Sequence, residues 1–281
     1  MTRLCIGLAI AAAACAQAPA FAAYYVSPRI FYGDGEEING TIINGATSAR
    51  QEFHSNGTDL AVTADLKAGT VKSSLNMTGP DNYGQVVGTF GDTLTFSSNA
   101  IGQTAGVRFR YDGSITAGAP LGLGNSTANF GIYATLYAYR AGSGVSYLDY
   151  GNAKYDAYKV VGLSDFISLS PTTAVDQVID KVLNGAFVVD GAGSYDVFAG
   201  LSLFAATNDN PINIGIDFSH TGQFGIDVPA GATYTSDSGV FLTETAAVPE
   251  PASWAMLIGG FGLIGGALRG ARVPRRAPSF G

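Results

Sequence analysis

The chain has 281 residues, of which 47% are hydrophobic and only 13% charged, with 38 glycines and a formal net charge of −7. So few charges beside so much glycine argue against a helical bundle and against disorder, and suit short strands joined by tight turns. The segment from Ala23 to Val248 carries 21 acidic against 10 basic residues and no cysteine, so it sits near −11. That charge repels nucleic acid, and the missing thiols exclude Cys-ligated zinc and disulfides there.

At the N-terminus, Met1-Thr2-Arg3 is followed by an apolar run from Leu4 to Ala14 and by Ala20-Phe21-Ala22. A short positive region, an apolar stretch too short to span a bilayer and an Ala-x-Ala site make a secretory signal over residues 1–22. It is expected to form a helix for the Sec translocon and to be cleaved after Ala22, with Ala20 and Ala22 as the small residues at the cut. A lipoprotein site at Cys15 is the alternative, but Ala12 stands where a lipobox wants leucine.

Residues 23–241 read as one all-β domain, a β-sandwich of jelly-roll-like type with one short helix. Trimming both ends leaves roughly 225 residues, a size that all-β sandwiches fill as a single domain. Strict alternation marks the strands. Val107, Phe109 and Tyr111 share one face and Arg108 and Arg110 the other, with Asp112-Gly113 read as a hairpin turn. Phe130, Ile132, Ala134, Leu136 and Ala138 form an inward row that alternates with Tyr133, Thr135, Tyr137 and Tyr139. Tyr195, Val197, Ala199, Leu201 and Leu203 form a second, and Ile212, Ile214, Ile216 and Phe218 a third. A separate strand with Phe224, Ile226 and Val228 is expected after His220-Thr221-Gly222. The short helix is placed after Pro171, where Val175, Val178, Ile179, Val182 and Leu183 lie on one helical face ahead of Asn184-Gly185.

Few residues suggest chemistry. His54 and His220 are the only histidines. Asp237-Ser238-Gly239 is similar to the nucleophile segment of trypsin-like proteases, but Ser236 and Val240 stand where those enzymes need glycine. Asp190 to Asp196 and Asn208-Asp209-Asn210 offer oxygen ligands on turns without the spacing of a calcium loop. No cofactor fingerprint or metal set is present, and no catalytic residue is assigned. The suggestive feature is a run of tyrosines, Tyr133, Tyr137, Tyr139, Tyr147, Tyr150, Tyr155 and Tyr158, half of the 14 in the chain. Tyr133, Tyr137 and Tyr139, lined along one sheet face, are candidates for stacking on sugar rings. Ordinary strand preference for tyrosine is the plain alternative.

After a linker at 242–248 comes Val248-Pro249-Glu250-Pro251, then 17 uncharged residues from Ala252 to Leu268, then Arg269, Arg272, Arg275 and Arg276. The uncharged stretch is at the short limit for a membrane helix, the arginines hold its far side in the cytoplasm, and Trp254 falls at the outer interface. This order resembles the PEP-CTERM sorting tail, over residues 249–276. In that family the membrane enzyme exosortase recognises the motif matched by Pro249, Glu250 and Pro251, and the basic stop matches Arg269 onward. The same tail is also known as the ice-binding protein C-terminal domain, a label for the tail alone.

The resemblance implies an exported protein, held transiently in the inner membrane and then displayed at the cell surface or released, in hosts that make exopolysaccharide. A plain anchor, with Gly262, Gly266 and Gly270 as a helix-pairing face, is the alternative for this segment. For the body, three functions stand: a structural or matrix protein, a module binding exopolysaccharide, and a secreted hydrolase.

Overall fold

The computed structural model describes residues 24–242, apart from 34, 41, 56, 80–81, 120–127, 147–150, 171 and 208–211 and the side chains of 39, 40 and 221. The expected signal, the membrane helix, the sorting motif and the arginines lie outside the described residues. Among the described residues no helix is long and apolar enough to cross a membrane.

Fourteen strands are described: β1 (Tyr25–Tyr32), β2 (Glu36–Gly40), β3 (Ile43–Asn44), β4 (Ser48–Ser55), β5 (Thr58–Asp65), β6 (Thr70–Met77), β7 (Tyr83–Phe96), β8 (Thr104–Ala117), β9 (Asn129–Arg140), β10 (Lys159–Leu169), β11 (Val175–Val188), β12 (Ser194–Ala206), β13 (Ile214–Asp227) and β14 (Tyr234–Ser236). They form two antiparallel sheets. One has the order β10-β9-β12-β7-β1-β2, with β14 added to β7 and β3 to β1. The other has the order β11-β8-β13-β6-β5-β4. Among the described residues helical structure is confined to single 3-10 turns at Ser98–Ala100 and Ala153–Tyr155.

The inward rows read from the alternation are the core. Phe130, Ile132, Ala134, Leu136 and Ala138 on β9 are buried, as are Tyr195, Val197, Ala199, Leu201 and Leu203 on β12. They face Ile214, Ile216 and Phe218 on β13 and Val107, Phe109 and Tyr111 on β8 in one continuous apolar cluster. Phe90, Phe224 and Phe241 meet at its centre, with ring centroids 5.2 to 6.1 Å apart. A domain of this size buries enough apolar surface to be held without disulfides.

Three expectations are corrected. The segment after Pro171 is not a helix but β11, paired with β8 over 14 residues. Val175, Ile179 and Leu183 are spaced by four, an even number, so they share a face in a strand as well as in a helix. Val178 and Val182 separate the two cases, and they point outward, 80% and 44% exposed. Four β-branched residues and a long partner strand outweigh the local helical spacing. Gly185 is not a helix stop: a Cβ there would lie 2.5 Å from Val161 of β10, so its smallness lets the two edge strands approach.

Asp112-Gly113 is not a hairpin turn, because β8 runs through it. Nor does His220-Thr221-Gly222 divide two strands. Instead, β13 is continuous and bulges opposite Gly113, where Asp217 pairs with Ser114 and Thr221 with Asp112. A Cβ on Gly113 would meet the Asp217 carbonyl oxygen at 2.2 Å. Asp217 Oδ1 accepts the Ser219 N–H at 2.9 Å and shapes the bulge.

Candidate functional site: an aromatic platform on the outer sheet face

Cross-strand register sets side chains from distant parts of the chain in rows on the outer face of the eight-stranded sheet. Phe166, Tyr133, Ser202, Val87 and Arg29 form one row across β10, β9, β12, β7 and β1. Ser168, Gly131, Phe204, Gln85 and Phe31 form the next. Phe166 is 58% and Tyr133 40% exposed, where a sheet's outer face ordinarily carries polar residues.

Gly131 is what brings the rings together. A Cβ at this position would lie 2.0 Å from the Ile167 carbonyl oxygen and 3.0 Å from the Phe204 ring. Without one, Phe204 and Phe166 close over β9 and stack with centroids 5.9 Å apart and planes 14° apart. Tyr133 meets the edge of Phe166 at 6.2 Å and 71°. The three rings form a continuous apolar surface over three strands.

A polar line borders it. The Tyr83 hydroxyl donates to Gln85 Oε1 at 2.9 Å, and Gln85 Nε2 donates to Ser202 Oγ at 3.0 Å. Burial pushes the Tyr83 phenol up, so it stays a neutral donor. Gln85 is thereby oriented beside the rings and retains hydrogen-bonding capacity, while Ser202 is itself buried.

Of the three tyrosines singled out from the sequence, only Tyr133 joins this surface. Tyr139 is fully buried, its ring packed against Phe198 and its hydroxyl accepting the Gly151 N–H at 2.8 Å. Together with Tyr25 and Phe198 it forms a small second core on the same sheet face, and Tyr137 and Tyr155 pack against it. Tyr137 stacks on Tyr139 at 6.1 Å and 11°. Tyr158 is exposed in the turn before β10, and Tyr147 and Tyr150 lie outside the described residues. Sequence reasoning missed Phe166, Phe204, Gln85 and Ser202. The available sign was broken alternation: Phe204 directly follows inward Leu203, and Phe166 precedes inward Ile167.

The other sequence candidates have structural roles. Ser238 donates its hydroxyl to Asp92 Oδ2 at 2.5 Å and its N–H to Oδ1 at 3.3 Å, which ties the β14 turn to β7. His54 lies in the other sheet, on β4, against Asp59 at 2.7 Å. Asp190 accepts Arg140 Nε at 2.5 Å and the Ala192 N–H at 3.2 Å, the pattern of a turn. Residues 208–210 lie outside the described set. Among the described residues no three His, Cys, Asp or Glu side chains gather as a metal site. A shallow cleft of about 470 Å³ on the six-stranded sheet is bordered by Asn76, Thr78, Thr116 and Asn213, and none of the described residues that line it is ionisable. Compared with known protein families, curated proteins and solved structures, the chain finds no match.

Proposed function

We propose that the chain is an exported cell-surface or extracellular-matrix protein whose sandwich binds polysaccharide without transforming it. The signal at 1–22 takes it through the Sec translocon. The tail at 249–276 then stops transfer, with the helix 252–268 in the inner membrane and Arg269, Arg272, Arg275 and Arg276 on the cytoplasmic side. Pro249, Glu250 and Pro251 stand at the outer interface near Trp254, within reach of exosortase, and processing there releases the body to the exopolysaccharide around the cell.

The observation that carries the binding role is the pair of exposed rings, Phe166 and Tyr133, continued by the half-buried Phe204 and set beside the oriented amide of Gln85. Sugar rings offer C–H faces to aromatic rings and hydroxyls to such groups. The order β11-β8-β13-β6 against β10-β9-β12-β7 supports a jelly-roll connectivity for β6 to β13, an architecture that lectin domains also use. That likeness is one of fold class, and the site carries the function.

Each half has its own test. Expressed in strains with and without exosortase, the chain is expected to lose its tail only where the enzyme is present; the same C-terminal mass in both sinks the sorting half. Retention on insoluble polysaccharide is expected to fall in Tyr133→Ala and Phe166→Ala, and unchanged retention in both sinks the binding half.

A further inference from the structure

We infer that the ligand of this platform is an uncharged glycan, lying across the strands from β10 towards β7; the inference rests on the polysaccharide-binding role proposed above. The two rows that build the platform hold ten side-chain positions, and Arg29 is the one charged residue in them. It is already neutralised. Its Nε and a terminal nitrogen donate to the two Glu37 carboxylate oxygens at 2.9 and 2.7 Å, and its guanidinium lies 4.9 Å from the Phe31 ring centre. Glu37 answers in kind, its carboxyl held below the usual range by Arg29. A bidentate pair of this kind leaves neither partner to bind a uronate or sulfate.

The surrounding field points the same way. A body near −11 repels polyanions at long range, so an acidic polysaccharide meets both an unfavourable approach and a platform without an open cation. What the platform does offer is apolar ring area at Phe166, Tyr133 and Phe204, flanked by the amide of Gln85, which the Tyr83 hydroxyl and the buried Ser202 hold in place. These groups pair with hydroxyls rather than with charges. They are also laid out along the rows, perpendicular to the strands. From β10 to β7 is three strand spacings, about 14 Å, so a linear chain of sugars meets the rings first and the polar line next.

The test is calorimetric titration of the exported protein with soluble neutral oligosaccharides (cello-, laminari- and manno-series) and with anionic ones (alginate and polygalacturonate fragments). Binding is expected for a neutral series, with an affinity that changes less than about twofold between roughly 50 and 500 mM NaCl, because no ion pair forms. Phe166→Ala and Gln85→Ala are each expected to weaken it by about tenfold or more while the circular dichroism stays unchanged. Uronate-selective binding that collapses with salt overturns the uncharged assignment and leaves polysaccharide binding standing. Neutral-glycan binding that survives both substitutions overturns the site, and no binding in either class overturns the proposed role as well.

Discussion

Asp92 is an inward-facing carboxylate on β7, 2% exposed, opposite Val197 of β12. Burial pushes its pKa up to about 6 from 3.8, against the opposing pull of the two hydrogen bonds from Ser238. In the folded state it therefore binds its proton more tightly than in the unfolded chain. Its contribution to stability is fully present below about pH 4 and is lost as the pH rises through about 6. A rise of about two pKa units corresponds to about 3 kcal/mol between the two ends of that window. Asp92→Asn keeps the shape and an oxygen for Ser238 while removing the charge. At pH 7.5 it is expected to stabilise the fold by about 1–3 kcal/mol, less than the full amount because an amide oxygen is a weaker acceptor than a carboxylate.

For a domain of this size, at about 2–4 °C per kcal/mol, that gain corresponds to a rise in Tm of roughly 2–12 °C. At pH 4.5 the variant and the parent are expected to converge. Thermal and urea denaturation at both pH values decide the matter. A variant no more stable than the parent at pH 7.5, together with a parent whose Tm does not fall between pH 4.5 and 7.5, refutes the reasoning. Asp196, also raised by burial, titrates on the same side and leaves a residual slope in the variant. Glu37, Asp165 and Asp190 act the other way: Arg29, Lys181 and Arg140 hold them low, so their stabilisation is lost only as the pH falls below the ordinary carboxylate range.

Val178→Asp is expected to change stability by no more than about 0.5 kcal/mol and Ile179→Asp to cost about 3 kcal/mol or more, a contrast that a strand requires and that urea denaturation reads directly. Gly131→Ala forces a methyl group against the Ile167 carbonyl and the Phe204 ring; a cost of about 1–3 kcal/mol is expected, with glycan retention lost as Phe166 and Phe204 part. Ser73 buries a hydroxyl that finds no hydrogen-bond partner among the described residues, so Ser73→Ala is expected to raise stability by about 1 kcal/mol in the same assay.

The rows on β9 and β12 were legible because alternate residues of a strand must face opposite sides, whatever the strand pairs with. Every inward position read from Phe130 to Ala138 and from Tyr195 to Leu203 is buried. Where spacing alone was ambiguous, the reading failed. Residues four apart satisfy both a helix and a strand, and at Val175, Ile179 and Leu183 only the partner β8 settled which. At Asp112-Gly113 a turn-forming pair sits in mid-strand, because the β13 bulge opposite it needs a residue without a side chain.

The candidate site was half legible. Tyr133 stood out within its tyrosine run, but Tyr137 and Tyr139 share its strand face and differ from it only in what covers them. Composition and period-2 patterning by themselves determined the all-β class and the identity of the core, because both depend on neighbours along the chain. The sheet order, the β13 bulge and the meeting of Phe166, Tyr133, Phe204 and Gln85 depend on pairings between segments tens of residues apart. Those pairings are set by packing and register across strands, and only the tertiary structure decides them.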